Sequence, residues 1–243
     1  MVKVKDLDLK SPMAEAYRTI RTNIIFSDID NKIKTILFTS TKKNEGKSTI
    51  VANVAYFFSK LEKKKILLID LDLRNPSVHK MFSVSNSIGI IEHLKENKPL
   101  DECIHKIEDN FHVLSMGMAQ PNPSEILSSN KMRKFLTNIR KSYDYIFVDA
   151  PPVGIVSDPI IISEFIDGII YVIAYNEVDI SHAKAAIDNL KKSDANIIGA
   201  VLNKYSTKSR MGKSYDYYKN ENKGIKKKIN KERIFSCIKN IIK

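Results

Sequence analysis

Two cysteines in 243 residues, Cys103 and Cys237, are too few for a disulfide framework, and so little cysteine points to a reducing compartment. No long apolar run is free of charge. The most apolar stretch, residues 155–175, contains Asp158, Glu164 and Asp167, which excludes a membrane span. The N-terminal MVKVKDLDLK alternates charge and has no apolar centre, so no signal peptide is expected. The five histidines, His79, His93, His105, His112 and His182, are dispersed and show no metal-ligand spacing. No internal repeat is visible. These absences lead us to expect a cytoplasmic protein whose membrane contact is peripheral or made through a partner.

The positive charge present is confined to one region. The formal net charge is +12, and residues 204–243, with thirteen Lys/Arg against three Asp/Glu, account for +10 of it. A nucleic-acid-binding domain would spread basic residues over its folded surface, so no nucleic acid is expected as a partner. From Ser206 onward apolar periodicity gives way to Lys, Ser, Asn and Tyr, which reads as a disordered basic tail over residues 206–243.

Ahead of that tail, short runs rich in Ile, Leu and Val alternate with helical patterns. Residues 33–40, 65–72, 111–117, 143–151, 168–175 and 196–203 read as buried strands. Residues 47–61, 87–97, 124–141, 158–165 and 179–193 read as helices. Continuously apolar strands separated by helices indicate a mostly parallel sheet covered on both faces. The expected fold is therefore an α/β P-loop Rossmannoid occupying residues 1–205 as one domain.

One loop in that pattern carries an incomplete motif. TSTKKNEGKSTI, residues 39–50, has the second half of a phosphate-binding loop in Gly46, Lys47 and Ser48, but Thr41 stands where the first glycine belongs. The loop follows an apolar strand and opens a helix, so backbone amides and the helix N-terminus would face phosphates. Lys47 would reach the β- and γ-phosphates, and Ser48 would ligate Mg²⁺. Two further strands end in acid. ILLIDLDLR places Asp70 and Asp72 on alternate positions, followed by Arg74, and YIFVDAPP ends in Asp149. Carboxylates closing an apolar strand are costly unless they serve a cation or a reacting group. Parallel strands would gather all three at one edge of the sheet, beside the loop.

This constellation resembles the bacterial tyrosine kinases of the capsular or exopolysaccharide type, in the cytosolic form common in Firmicutes. Three apolar residues and D-x-D-x-R are matched by Leu67, Leu68, Ile69, Asp70, Asp72 and Arg74, and the Asp-x-Pro-Pro ending by Asp149, Pro151 and Pro152. PNPSEIL at 121–127 is also similar to the family, and the likeness runs from about residue 11 to 205. It implies ATP and Mg²⁺ as cofactors, with Asn44, Glu45, Gly46, Lys47, Ser48, Thr49 and Arg74 around the nucleotide and Ser48, Asp72 and Asp149 around the metal. Lys47, Asp70 and Asp72 are the implied catalytic residues, and the sequence leaves open which aspartate is the base. Glu15, Arg18 and Arg21 match the E-x-x-R-x-x-R pattern of an oligomerisation helix, placed at 11–26, that mediates ring-like self-association. Tyr215, Tyr217 and Tyr218 resemble the autophosphorylation cluster, whereas Tyr205, next to the last strand, reads as structural. The implied partners are a transmembrane activator of the polysaccharide co-polymerase type, further copies of the chain, and a cognate tyrosine phosphatase.

The sequence departs from the family in three places. Asn44 occupies a loop position where smaller residues are commoner, and asparagine tolerates left-handed backbone geometry. Lys42 sits where Min- and Par-type partitioning ATPases carry a signature lysine, which makes such an ATPase the alternative reading. Residues 223–243 extend past the tyrosines, with Ile234, Ile238, Ile241 and Ile242 at helical spacing, as in a basic amphipathic helix for anionic lipid or an acidic partner. Replacing Tyr215, Tyr217 and Tyr218 together with Phe is expected to remove most self-labelling by ATP. Mass spectrometry of the tail checks this, and labelling that persists elsewhere would relocate the acceptors.

Overall fold

The computed structural model describes residues 11–28, 32–62 and 64–205. Cys237, the tyrosine cluster 215–218 and the basic extension 223–243 lie outside the described residues. The chain begins with α1 (Pro12–Ser27), then β1 (Thr35–Ser40), α2 (Lys47–Glu62) and β2 (Ile66–Asp70). Three short helices follow, α3 (Val78–Phe82), α4 (Ile90–Glu96) and α5 (Leu100–Cys103), and then β3 (Ile104–Glu108) and β4 (Phe111–Leu114). The remainder runs α6 (Pro123–Leu127), α7 (Asn130–Ile139), β5 (Tyr145–Asp149), α8 (Asp158–Ser163), β6 (Gly168–Ala174), α9 (Ile180–Lys191) and β7 (Ile197–Asn203).

Seven strands form one sheet in the order β3-β4-β2-β5-β1-β6-β7, parallel throughout except for β3, which runs antiparallel to β4. Every residue of β1 and of β2 is buried. Side chains alternate across a strand, so these unbroken apolar runs feed two cores at once. Leu37, Leu67 and Ile69 enter one core with α4, α7 and α9, while Ile36, Phe38, Ile66 and Leu68 enter the other with α1 and α2. In the second core Phe147 meets Phe38 and Phe58 with ring centroids 6.3 and 5.0 Å apart, and Tyr17 of α1 meets Phe57 of α2 at 5.5 Å.

The mostly parallel sheet agrees with the sequence expectation, with three differences of detail. The helix expected over 124–141 is two helices, because Ser129 leaves the helical conformation and its hydroxyl accepts from Met132 N to start α7. β3 was not expected: it is a half-buried edge strand without a continuous apolar run. α3 and α5 span five and four residues, too short for helical periodicity to register. No helix among the described residues is long and apolar enough to cross a membrane. Phe147→Ala, which empties a fully buried position between the sheet and α2, is expected to cost about 3–5 kcal/mol of stability. A urea denaturation midpoint close to that of the unmodified chain would contradict this packing.

Candidate active site

The loop between β1 and α2 is held open by four local devices. Asn44 adopts the left-handed conformation with φ 65°, the geometry its residue type tolerates. Gly46 has φ 86°, and a Cβ there would lie 2.0 Å from Asn203 Nδ2, so only glycine fits. That same Asn203 amide donates to the Glu45 carbonyl at 2.7 Å, tying the end of β7 to the loop. Thr41, at the position of the missing glycine, lies outside the left-handed region, and its hydroxyl meets Tyr171 Oη at 2.9 Å. The turn therefore takes its positive φ values at Asn44 and Gly46 and requires no glycine at 41.

Glu45 is turned inward. Its carboxylate is buried and accepts from Lys42 N at 2.6 Å and from Ala174 N, at the end of β6, at 2.9 Å. Expected at the nucleotide from sequence, Glu45 does line the cleft, and its carboxylate also latches the loop to the sheet. Lys42 does not extend freely into solvent either, since its ammonium donates to the Glu177 carbonyl of the same chain. Lys204 pairs with the Glu177 carboxylate at 2.8 Å.

Lys47, the first residue of α2, is buried, and its ammonium pairs with Asp149 Oδ1, lies 3.6 Å from Asp72 Oδ2 and contacts Ser48 Oγ at 3.1 Å. The register explains the meeting: Asp149 stands opposite Phe38 on β1 and opposite Asp70 on β2, at the carboxyl ends of neighbouring parallel strands. The two aspartates of D-x-D-x-R separate in role. Asp70 is fully buried, and its carboxylate accepts from the amides of Asp72, Ser77 and Val78 at 2.9–3.1 Å, which fixes the start of α3. Burial, and then the charge of Asp149, push its pKa up to about 7. Asp72 lines the cleft beside Lys47, and burial raises its pKa against the opposing effect of Lys47. Arg74 does not turn back to either aspartate. It grips buried Asp158 at 2.8 and 3.2 Å and Ser124 at 3.0 Å, bridging the starts of α6 and α8.

These residues surround a cleft of about 450 Å³. Asn44, Glu45, Gly46, Lys47, Ser48 and Thr49 line it, as do Asp72 and Arg74, whereas Asp70 and Asp149 are absent from the lining. Asp149 Oδ2 is buried and has no hydrogen-bond partner among the described residues. A buried carboxylate oxygen in that state is suited to a cation. No cluster of three or more His, Cys, Asp and Glu among the described residues makes an all-protein metal site. Mg²⁺ needs only one or two carboxylates, with phosphate and water supplying the rest. Ser48 Oγ and Asp149 are the side chains that would hold it, while Asp72, also expected from the sequence at the metal, lies 3.6 Å from the Lys47 ammonium. Glu15 and Arg18, the exposed pair on α1, meet each other at 2.8 Å and take no part in this site.

Comparison with known proteins agrees with this geometry. The ParA family model, described as NUBPL iron-transfer P-loop NTPase, matches residues 31–241. Tyrosine-protein kinase YwqD of Bacillus subtilis (strain 168) is 36% identical over 210 residues, covering 86% of this chain and 87% of YwqD. The chain belongs to the bacterial tyrosine-protein kinases. Putative tyrosine-protein kinase CapB of Staphylococcus aureus is 34% identical over 213 residues, 87% of this chain and 92% of CapB. The crystal structure of the chimeric protein CapA2B2 aligns with a TM-score of 0.79 at 30% identity, covering 84% of this chain and 89% of the chimera. MinD of Pyrococcus horikoshii OT3, at 21% identity and a TM-score of 0.60, shares the fold alone. The partitioning-ATPase alternative is thereby corrected to a distant relation within one P-loop fold, a fold that binds nucleotide with Mg²⁺.

Sequence reasoning missed Asn203, Asp158 and the inward turn of Glu45. A polar residue closing an apolar strand, the signal that flagged Asp149, is equally present at Asn203. Asp149→Asn is expected to abolish the dependence of nucleotide affinity on Mg²⁺, so that calorimetric titrations with Mg²⁺ and with EDTA coincide. A variant whose affinity still rises with Mg²⁺ would remove Asp149 from the metal.

Proposed function

We propose that this kinase transfers the γ-phosphoryl group of ATP to tyrosines of its own tail, Tyr215, Tyr217 and Tyr218, supplied by a neighbouring copy, and so regulates capsular or extracellular polysaccharide synthesis. The observation that carries the reading is the convergence of Asp72 and Asp149 on the Lys47 ammonium, with Lys47 and Asp72 lining the cleft at the mouth of the phosphate loop. A phenol has a pKa of about 10 and stays protonated at neutral pH, so a carboxylate beside it promotes transfer. Asp72 takes that role, because it lines the cleft and burial raises its basicity, while Asp70 is committed to backbone amides. Mg²⁺, when bound, neutralises charge on the β- and γ-phosphates. Lys47 and the amides of residues 44–49 hold the phosphates in place and stabilise the charge on the transferred group.

Self-association is proposed to run through α1, on which Glu15 and Arg18 pair at the surface. The family resemblance implies a transmembrane activator of the polysaccharide co-polymerase type, which would recruit the chain to the inner face of the cell membrane. A cognate tyrosine phosphatase would reverse the modification. Each phosphotyrosine adds about −1.5 to −2 charge, so several would offset much of the +10 carried by residues 204–243. Lys47→Ala is expected to abolish phosphotyrosine while the chain still folds, with a lower melting temperature because Asp72 and Asp149 lose their buried counter-charge. Mass spectrometry after incubation with ATP and Mg²⁺ checks it, and undiminished labelling would sink the assignment.

A further inference from the structure

The lining of the cleft changes character between two segments. Residues 42–49 and Lys204 bring ammonium groups, amides and hydroxyls, whereas Met81, Pro152, Ile155 and Val156 bring carbon. Ile155 is 52% exposed. Scattered exposed apolar residues are ordinary on a protein surface, and Phe26, Met118 and Ile180 are exposed here too. Ile155 differs from those three because it lines the same cleft as Lys47 and Asp72.

The turn that presents Ile155 is fastened to the catalytic loop. Val153 N donates to Ser40 O at 2.9 Å and to Thr39 Oγ1 at 3.1 Å, and Thr39 Oγ1 donates to Pro151 O at 2.8 Å. Ile155 N and Val156 N both donate to Pro152 O, at 3.1 and 3.2 Å. Gly154 packs so closely on Thr41 that a Cβ would lie 2.2 Å from the Thr41 carbonyl oxygen. An isoleucine is thus held against water by a rigid turn that has no freedom to bury it, and covering it recovers hydrophobic free energy.

We infer that Ile155, with Met81, Pro152 and Val156, seats the aromatic ring of the acceptor tyrosine. The inference rests on the tyrosine-transfer reading and adds to it the element that selects the acceptor. The carbon-rich part of the lining comes from the segments that follow β2 and β5, the strands whose ends carry the carboxylates. A phenol is the acceptor that matches both, with an apolar ring for Ile155 and a hydroxyl for Asp72. A bond forms between the phenolic oxygen and the γ-phosphorus, the bond from that phosphorus to the β,γ-bridging oxygen breaks, ADP leaves and the phenolic proton passes to Asp72. Serine carries a hydroxyl without a ring, leaves Ile155 in water, and is selected against.

The test uses the full chain and a synthetic peptide of its residues 212–220, GKSYDYYKN. Each methylene withdrawn from an apolar contact weakens binding by a factor of about four, and Ile155→Ala removes part of a contact only a few carbons wide. The expected result is a rise of about tenfold in KM for the peptide with kcat little changed, recovery in Ile155→Leu, and an unaltered Kd for Mg-ADP. An unchanged KM in Ile155→Ala overturns the inference, and so does a raised Kd for Mg-ADP, which would give the seat to the nucleotide base. Failure of the underlying reading is recognised separately, in the unmodified chain: phosphate released to water with peptide and tail both unlabelled. Ile155 is half-exposed, so folding of the variants is expected to be normal, and a thermal melt checks it.

Discussion

A lysine ammonium buried between two aspartates is the interaction on which this architecture turns. Lys47, Asp72 and Asp149 are all withdrawn from water, and a buried charge persists only where opposite charge and hydrogen bonds replace its hydration. Their mutual placement is set by the sheet. β5 lies between β2 and β1, so two acid-ending strands and the strand that launches the phosphate loop reach one edge side by side. Moving either strand by one residue would put its carboxylate on the wrong face.

The loop shows how a motif keeps its geometry after losing one of its usual residues. Of its residues, Asn44 and Gly46 take positive φ, so glycine is needed at only one point and asparagine serves at the other. Rigidity comes from Glu45, whose carboxylate bridges Lys42 N and Ala174 N. Arg74 works in the same manner from further out, holding Asp158 and Ser124 so that the starts of α6 and α8 flank the cleft. Charged side chains that look nucleotide-directed in a linear motif are here spent on shaping the backbone.

Much of this was readable before any coordinates. The central strands announced themselves because a strand covered on both faces has to be apolar at every position, and the carboxylates at their ends stood out against that background. The half-buried edge strand β3 and the two short helices α3 and α5 did not, since they carry too few buried residues for any period to show. Asp70 and Asp72 are chemically identical in the sequence. Only the return of the chain at Ser77 and Val78, which fills one carboxylate with amides, separates the aspartate held by backbone from the one that faces the cleft. The latch made by Glu45 was hidden for a related reason: nothing local says whether a side chain beside a loop turns outward or beneath it. The inward turn depends on Ala174, some 130 positions away in the chain.

The amide of Asn203 gives the molecule a property that no single element has. It joins the last residue of β7, an edge strand half-exposed along its length, to the carbonyl of Glu45 and to the one face of Gly46 that admits no side chain. The edge strand and the phosphate loop therefore share one contact. If a ligand at either place alters the Asn203 contact, affinity at the other changes by the same factor. The lever is a single side chain at the point from which the tail departs.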